Sequence, residues 1–118
     1  MNPQRPYPRA ERVRASIHHV LAAEVERMRD EIGFVTITDV TLSPDLRHAK
    51  VFYTILDEGR AHDRVRRSME AAAKPLRTAV AKQVRMKFAP TLEVIEDPVP
   101  EQARRVDELI RRLHEGER

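Results

Sequence analysis

The sequence predicts an α+β domain with a three-stranded sheet, and three observations lead to this prediction. Residues 33–56 read GFVTITDVTLSPDLRHAKVFYTIL, which places apolar residues at every second position in two successive runs. Such alternation of β-branched and aromatic residues is typical of strands. Apolar residues recur at helical spacing on both sides of this segment. A length of 118 residues suits one domain with one core.

The two apolar runs are predicted to form a β-hairpin. Residues 43–45, with the sequence Ser-Pro-Asp, lie between them. Proline presets a turn dihedral there, while serine and aspartate can bond nearby backbone amides. The apolar parity slips between Ile37 and Val40, which would turn the second half of the strand to the other face. A β-bulge near residues 38–39 explains the slip, and so does a strand with two partly buried faces.

A tail and two helices are predicted around the hairpin. Three prolines in residues 1–10 predict an extended tail, and an amphipathic helix follows from about Glu11 to Asp30. A second helical stretch runs from Arg60 to Lys87, with Pro75 inside it. Because proline lacks an amide hydrogen and clashes with the preceding turn, this helix should kink or split at Pro75.

The rest of the chain is predicted to add one strand and one helix. Thr91 to Asp97 alternates apolar and charged residues, as a strand does, and Pro100 suits the first turn of a last helix. We therefore expect an extended basic tail at 1–10, one compact domain at 11–98, and a C-terminal helix with a frayed end at 99–118.

Positive charge is concentrated in one part of the chain. Residues 60–90 carry nine basic and two acidic groups, whereas the whole chain has a net charge of only +3. A basic stripe on one element is expected of a protein that binds a phosphate backbone, although a solvated helix face gives the same pattern. The candidate RNA-binding residues in this stretch are Arg64, Arg66, Arg67, Lys74, Arg77, Lys82, Arg85 and Lys87.

Three arginines near the N-terminus are further candidates for RNA binding: Arg5, Arg9 and Arg12. A tail with no fixed role is the alternative for this region. The chain contains 18 arginines and four lysines, and a guanidinium can bond phosphate bidentately. With two tyrosines, three phenylalanines and no tryptophan, the composition argues against a protein that grips single strands mainly by stacking.

The residues that could catalyse a reaction or hold a metal do not form a recognisable site. His18 and His19 lie about 100° apart on a helix, and neither has a potential ligand three or four residues away. Ser43, Asp45 and His48 list the members of a hydrolase triad, but no glycine-rich elbow accompanies them. We expect the serine and aspartate to bond the turn backbone and the histidine to face solvent or RNA. No enzyme activity, cofactor or metal is therefore expected.

The sequence also favours a cytoplasmic protein. It contains no cysteine, so disulfides and thiolate metal sites are excluded. No apolar run approaches the roughly 20 residues that span a bilayer, and residues 1–10 lack the apolar segment of a signal peptide. We expect no membrane partner.

The predicted order α-β-β-α-kink-α-β resembles the KH-like fold of type II. The hairpin carries a more specific likeness, because residues 33–40 (GFVTITDV) and 43–51 (SPDLRHAKV) strongly resemble ribosome-binding factor A, a family of bacterial assembly factors for the small ribosomal subunit. The resemblance extends to Arg12-Val13, to Leu76-Arg77 and to residues 85–92, and it covers about residues 9–113.

Two departures from related proteins affect the expected mode of RNA binding. The family usually carries Ala-x-Gly between its two central helices, whereas this chain has Ala-Ala-Lys at 72–74 followed by Pro75, so proline takes the place of glycine as the cause of a kink. A usual KH domain holds four nucleotides with a Gly-x-x-Gly loop, which this chain lacks. We therefore expect recognition by side-chain charge and shape, which suits folded ribosomal RNA.

The resemblance implies a non-catalytic maturation factor that binds the immature small subunit through its ribosomal RNA. It further implies binding near the decoding region, help in late assembly and in processing the 5′ end of that RNA, release by an assembly GTPase, a role in cold adaptation and a monomeric state. The alternative is a protein-interaction module that recruits another assembly factor through the open face of the hairpin.

Overall fold

The computed structural model describes residues 8–56 and 62–97, and it has the predicted α+β architecture with a three-stranded sheet. The predicted C-terminal helix lies outside the described residues. The elements in chain order are α1 (Pro8–Arg27), α2 (Arg29–Ile32), β1 (Val35–Leu42), β2 (His48–Ile55), α3 (His62–Gln83) and β3 (Thr91–Glu96).

The central strand of the sheet is β2, which has a different partner on each side. It pairs antiparallel with β1, from Val35 opposite Ile55 to Leu42 opposite Ala49. It pairs in parallel with β3, beginning with His48 opposite Thr91. A parallel pair needs a long crossover between the strands, and α3 supplies it. The starts of β2 and β3 therefore lie side by side at one edge of the sheet.

The β-bulge predicted in β1 is confirmed. The register shifts between Ile37, which lies opposite Tyr53, and Asp39, which lies opposite Phe52. As a result, Ile37 and Val40 both point into the core although they are three residues apart. A bulge is what allows two apolar residues of unlike parity to share one face of a strand.

The core lies between the helices and one face of the sheet. α1 packs on β1, and α3 packs on β3 and β2 as well as on α1. Among the described residues, no polar or charged side chain is buried in this core. Its most enclosed members are the side chains of Ile17, Leu21, Val40, Val51, Tyr53, Met69, Leu76 and Val80.

The first helix begins earlier than predicted and ends in two pieces. Pro8 is the first residue of α1, so the prediction of an extended tail over all of residues 1–10 is wrong for its last three. Proline is favoured at the first helical position because its missing amide hydrogen has no partner there. The residues predicted to end this helix form a separate short helix, α2. It ends at Gly33, whose positive φ of 108° is a conformation that glycine adopts readily.

Pro75 does not split the second helical stretch. α3 is one continuous helix from His62 to Gln83, so the predicted split into two helices is wrong, whereas the predicted kink stays a prediction. The amide hydrogen that proline lacks would have bonded the carbonyl of Ala71. Both residues lie on the exposed side of the helix, where water can satisfy that carbonyl. The helix can therefore continue through the proline at a cost in stability.

Replacing Pro75 with alanine should stabilise the protein. Pro75→Ala restores the helical hydrogen bond to Ala71 and removes the ring, so we expect the free energy of unfolding in urea to rise by about 1–3 kcal/mol. Thr78→Ala on the same exposed side is the control for helix propensity alone and should change it by about 0.7 kcal/mol or less. A loss of stability in Pro75→Ala would contradict this account.

Candidate nucleic-acid interface

Four of the predicted RNA-binding residues form an exposed surface along α3, which we call the α3 basic face. It is opposite the buried stripe of the helix, and at 3.6 residues per turn its members lie within an arc of about 80°. The first and last members, Arg64 and Lys82, are 18 positions apart, or about 27 Å along the helix axis. Within the described residues, none of their side chains has a hydrogen-bond or ion-pair partner. The members are Arg64, Arg67, Lys74 and Lys82.

Small residues separate the cations of the α3 basic face. The exposed positions between them include Ala71, Pro75, Thr78 and Ala81. Short side chains at these positions leave the long arginine and lysine side chains standing above the helix surface. Among the described residues, no long side chain would therefore obstruct a phosphate backbone that approaches the cations. α3 has two acidic residues: Asp63 pairs with Arg66, and Glu70 has no ion-pair partner within the described residues.

Arg66 is also on α3, but it is engaged within the protein. Its Nε donates to Oε1 of Glu96 on β3 at 3.1 Å, and its Nη1 lies 3.2 Å from a carboxylate oxygen of Asp63. The hydrogen bond to Glu96 raises the pKa of Arg66 above its ordinary value. His62 approaches the other oxygen of Glu96 at 2.5 Å. Arg66 thus holds the start of α3 to β3, and its RNA-binding role stays a prediction.

Arg77 likewise has internal partners. Its Nε donates to the carbonyl of Pro90 and its Nη2 to the carbonyl of Ala89, each at 3.2 Å. These carbonyls belong to the loop 84–90 between α3 and β3. Arg77 therefore fixes that loop against α3, and its contact with RNA also stays a prediction.

A basic cleft lies where β2 and β3 begin, and we call it the strand-start cleft. Three separate segments form it: the first two turns of α1, the hairpin turn and loop 84–90. Apolar atoms of Val13, Leu46 and Met86 contribute to its walls. Its charged and aromatic side chains are Arg9, Arg47, Arg85, Lys87, Asp45 and Phe88. Three of the predicted RNA-binding residues, two from loop 84–90 and one from α1, thus meet in one cleft.

The hairpin turn is held by the residues that were predicted to hold it. Ser43 Oγ donates to Asp45 Oδ1 at 2.6 Å and accepts from the amide of His48 at 3.0 Å. The amide of Arg47 donates to the same oxygen of Asp45 at 3.1 Å. The bond from Ser43, followed by that from the Arg47 amide, lowers the pKa of Asp45. The prediction that Ser43 and Asp45 bond the turn backbone is confirmed.

His48 does not complete a catalytic triad with these residues. It is exposed, and its Nδ1 lies 2.7 Å from Oγ1 of Thr91, the first residue of β3. The serine hydroxyl donates to the aspartate, so it has no histidine acting as its base. The contact instead joins the starts of the two parallel strands.

The backbone of the hairpin turn is strained beside the cleft. Leu46 has a φ of 61°, and it is the one residue other than glycine with a positive φ in the described part of the chain. A leucine in this conformation carries a steric cost, and such residues cluster at binding and catalytic sites. The next residue, Arg47, places its guanidinium 5.3 Å from the centre of the Phe88 ring.

Arg47 and Phe88 are the members of the cleft that the sequence interpretation missed. Arg47 was overlooked because the hairpin as a whole is acidic, and Phe88 because aromatic residues are few. A usable signal was present in the sequence, since Phe88 directly follows the basic stretch Arg85-Met86-Lys87. Arg12 lies exposed on α1 outside the cleft, and Arg5 lies outside the described residues.

Of the two histidines considered as metal ligands, His18 contacts the backbone of β1 and His19 is exposed. His18 Nε2 lies 3.1 Å from the carbonyl of Ile37, and because a carbonyl only accepts, this nitrogen carries the proton. Over residues 8–56 and 62–97, no group of three potential metal ligands comes together. Nor does any helix in those ranges have the length and apolar character to cross a membrane.

The fold and its charge define a class of protein: a small α+β domain with an exposed cationic surface, as proteins that bind phosphate backbones have. Comparison with known proteins identifies the particular family. The chain belongs to the ribosome-binding factor A family, whose family model matches residues 9–110.

Individual relatives support this membership. The ribosome-binding factor A of Acidothermus cellulolyticus is 41% identical over 109 residues, which cover 92% of this chain and 71% of that protein. The crystal structure of ribosome-binding factor A from Thermus thermophilus is similar with a TM-score of 0.64 and 26% identity, covering 74% of this chain and 94% of that one. A homology model of the Thermus thermophilus factor, fitted into a cryo-electron-microscopy map of a 30S complex with ribosome-binding factor A, gives a TM-score of 0.60 and 25% identity, covering 74% of this chain and 97% of that one.

Removing the Ser43 hydroxyl should change how Asp45 titrates. We expect Ser43→Ala to return the pKa of Asp45 toward its ordinary value of 3.8, because the largest stabilisation of the carboxylate is lost. In the wild-type protein, the hydrogen bond from Ser43 stabilises the turn fully at pH values above the ordinary pKa of Asp45. This stabilisation is lost as the pH falls through the lowered pKa that Asp45 has in the folded protein. Carboxyl NMR titration measures the effect, and the exposed Ser16→Ala serves as the control. An unchanged Asp45 titration in Ser43→Ala would show that the bond is unimportant.

Proposed function

We propose that this chain binds the immature small ribosomal subunit through its ribosomal RNA and assists late assembly and processing of the RNA's 5′ end. The observation that carries the proposal is the α3 basic face, whose four exposed cations have no partner within the described residues. Membership of the ribosome-binding factor A family supports it. So does the 30S complex of the similar Thermus thermophilus factor.

The charge distribution explains how an almost neutral protein can bind RNA. Arginine and lysine that neutralise phosphates release counterions, so affinity falls as salt rises. If six cations meet phosphates, log affinity should fall against log salt with a slope of roughly −4 to −5. The α3 basic face together with Arg85 and Lys87 of the strand-start cleft provides six such groups.

The family supports further parts of the proposal. We propose that the chain acts as a cytoplasmic monomer without catalytic activity and binds near the decoding region. Release by an assembly GTPase then ends its contact with the subunit. A role in cold adaptation follows if the chain opposes RNA structures that become more persistent on cooling.

Recruitment of another assembly factor is the competing function. The open face of the sheet carries half-buried Phe52 and Ile95 on neighbouring strands, and no helix in the described parts of the chain covers them. Such a face could contact a protein. The α3 basic face favours RNA as the principal partner, and the experiment below separates the two.

Reversing two cations of the α3 basic face should weaken subunit binding. For Arg67→Glu/Lys74→Glu we expect at least a roughly tenfold loss of affinity for small subunits from a strain that lacks the protein, and a salt slope smaller by about 1.4–1.8. Co-sedimentation over a salt series measures both quantities. Arg66 and Arg77 are left unchanged because they hold α3 to β3 and to loop 84–90.

The control Arg27→Glu/Lys50→Glu changes the net charge equally at two exposed positions outside α3. It should bind nearly as tightly as the wild-type protein, since neither residue belongs to the α3 basic face or to the strand-start cleft. Binding that is insensitive to salt and to the Arg67→Glu/Lys74→Glu change would favour the protein-interaction function. Equal affinity of the wild-type protein for immature and mature subunits would contradict a maturation role.

A further inference from the structure

We propose that the strand-start cleft binds a single unpaired nucleotide of folded RNA, with its base against Phe88 and its flanking phosphates against the surrounding cations. The inference rests on the proposed function, because an RNA partner must supply the nucleotide. It goes further by assigning a second contact of a different kind from the α3 basic face. The α3 basic face recognises only the charge of the phosphates, whereas the cleft recognises a base that is no longer stacked in a helix.

Phe88 offers the base a surface on which to stack. Its side chain is 56% exposed, so it is not needed to fill the core. The charged groups of Arg47 and Lys87 lie over the ring, 5.3 Å and 5.6 Å from its centre, so a base that stacks on Phe88 displaces one of them. A base can stack on an aromatic ring or on an arginine guanidinium, and this cleft presents both.

The cations around the ring suit the phosphates on either side of the base. Arg9 comes from α1, whereas Arg85 and Lys87 come from loop 84–90, so positive charge lies on more than one side of the cleft. In the described part of the chain, neither Arg9 nor Arg85 has an ion-pair partner. An extruded nucleotide has a phosphate on each side of its sugar, which matches cations from two walls.

Asp45 determines which part of the nucleotide can enter. Its carboxylate repels phosphate and accepts hydrogen bonds from N–H groups. The Ser43 hydroxyl and the Arg47 amide fix it through one oxygen, which leaves the second oxygen able to accept. The cleft volume is about 210 Å³, below the roughly 300–1,000 Å³ of usual small-molecule pockets. These features fit one base that can donate an N–H to the second oxygen, as guanine can through N1 or N2.

The cleft suits one nucleotide and not a continuous single strand. A strand needs successive aromatic platforms, and the other largely exposed ring among the described residues is that of Phe34. Phe34 precedes β1, opposite the end of β2, whereas the cleft lies at the start of β2. The length of β2 separates the two rings by about 23 Å. An isolated site of this kind matches an extruded base within a folded RNA.

The experiment compares two RNA hairpins of the same sequence, one with a single bulged guanosine in the stem and one with an uninterrupted stem. We expect the wild-type protein to bind the bulged hairpin about tenfold more tightly by fluorescence anisotropy, since stacking of one base accounts for a change of this size. Phe88→Leu should abolish the preference while keeping the melting transition and the affinity for the uninterrupted stem. Arg67→Glu/Lys74→Glu should weaken both complexes and keep the preference.

Equal affinity of the wild-type protein for both hairpins would overturn the nucleotide site, and so would a second result, a preference that survives in Phe88→Leu. The second result would mean that the protein reads the flexibility of the bulge. If neither hairpin binds but immature subunits still do, the nucleotide site is wrong and the proposed function stands. If the protein binds neither hairpins nor immature subunits, the proposed function fails as well.

Discussion

The parallel pairing of β2 with β3 is the constraint on which the rest of the structure depends. It places the two strand starts side by side, so the hairpin turn and loop 84–90 meet although about 40 residues separate them in sequence. A backbone hydrogen bond joins the hairpin turn to the start of β3, since the amide of Thr91 donates to the carbonyl of Arg47 at 2.8 Å. The same pairing requires a long crossover, and that crossover is the helix that carries the basic face. The parallel pairing of β2 with β3 thus creates both candidate contact surfaces, the α3 basic face and the strand-start cleft.

The bulge in β1 connects the remaining helix to this arrangement. A bulge interrupts the ladder, so nearby backbone groups need other partners. The carbonyl of Ile37 accepts from His18 on α1, and the carboxylate of Asp39 accepts from the amide of Val40. Arg14 on α1 also lies 3.8 Å from that carboxylate. These contacts fix α1 along β1, and as a consequence the first turn of α1 reaches the strand-start cleft.

Local patterns in the sequence predicted the strands, the hairpin and the bulge, because alternation and turn chemistry are determined by neighbouring residues. The sequence left open whether α3 kinks or splits at Pro75, because its continuation depends on whether Ala71 faces solvent. Charge counting likewise could not distinguish Arg66 and Arg77, which bond Glu96 and loop carbonyls, from cations without a described partner. The cleft was out of reach for a related reason. Its three segments are brought together only by the parallel strand pairing.

A maturation factor must bind one form of the subunit more tightly than another, because a ligand shifts an equilibrium only through differential affinity. Phosphates cover both immature and mature ribosomal RNA, so the α3 basic face gives attraction and a high association rate but little discrimination. A cleft that takes an extruded base responds to whether that base is paired, which changes as RNA helices form. If the proposed function and the nucleotide site both hold, the α3 basic face supplies affinity, and the strand-start cleft supplies the difference in affinity between assembly states.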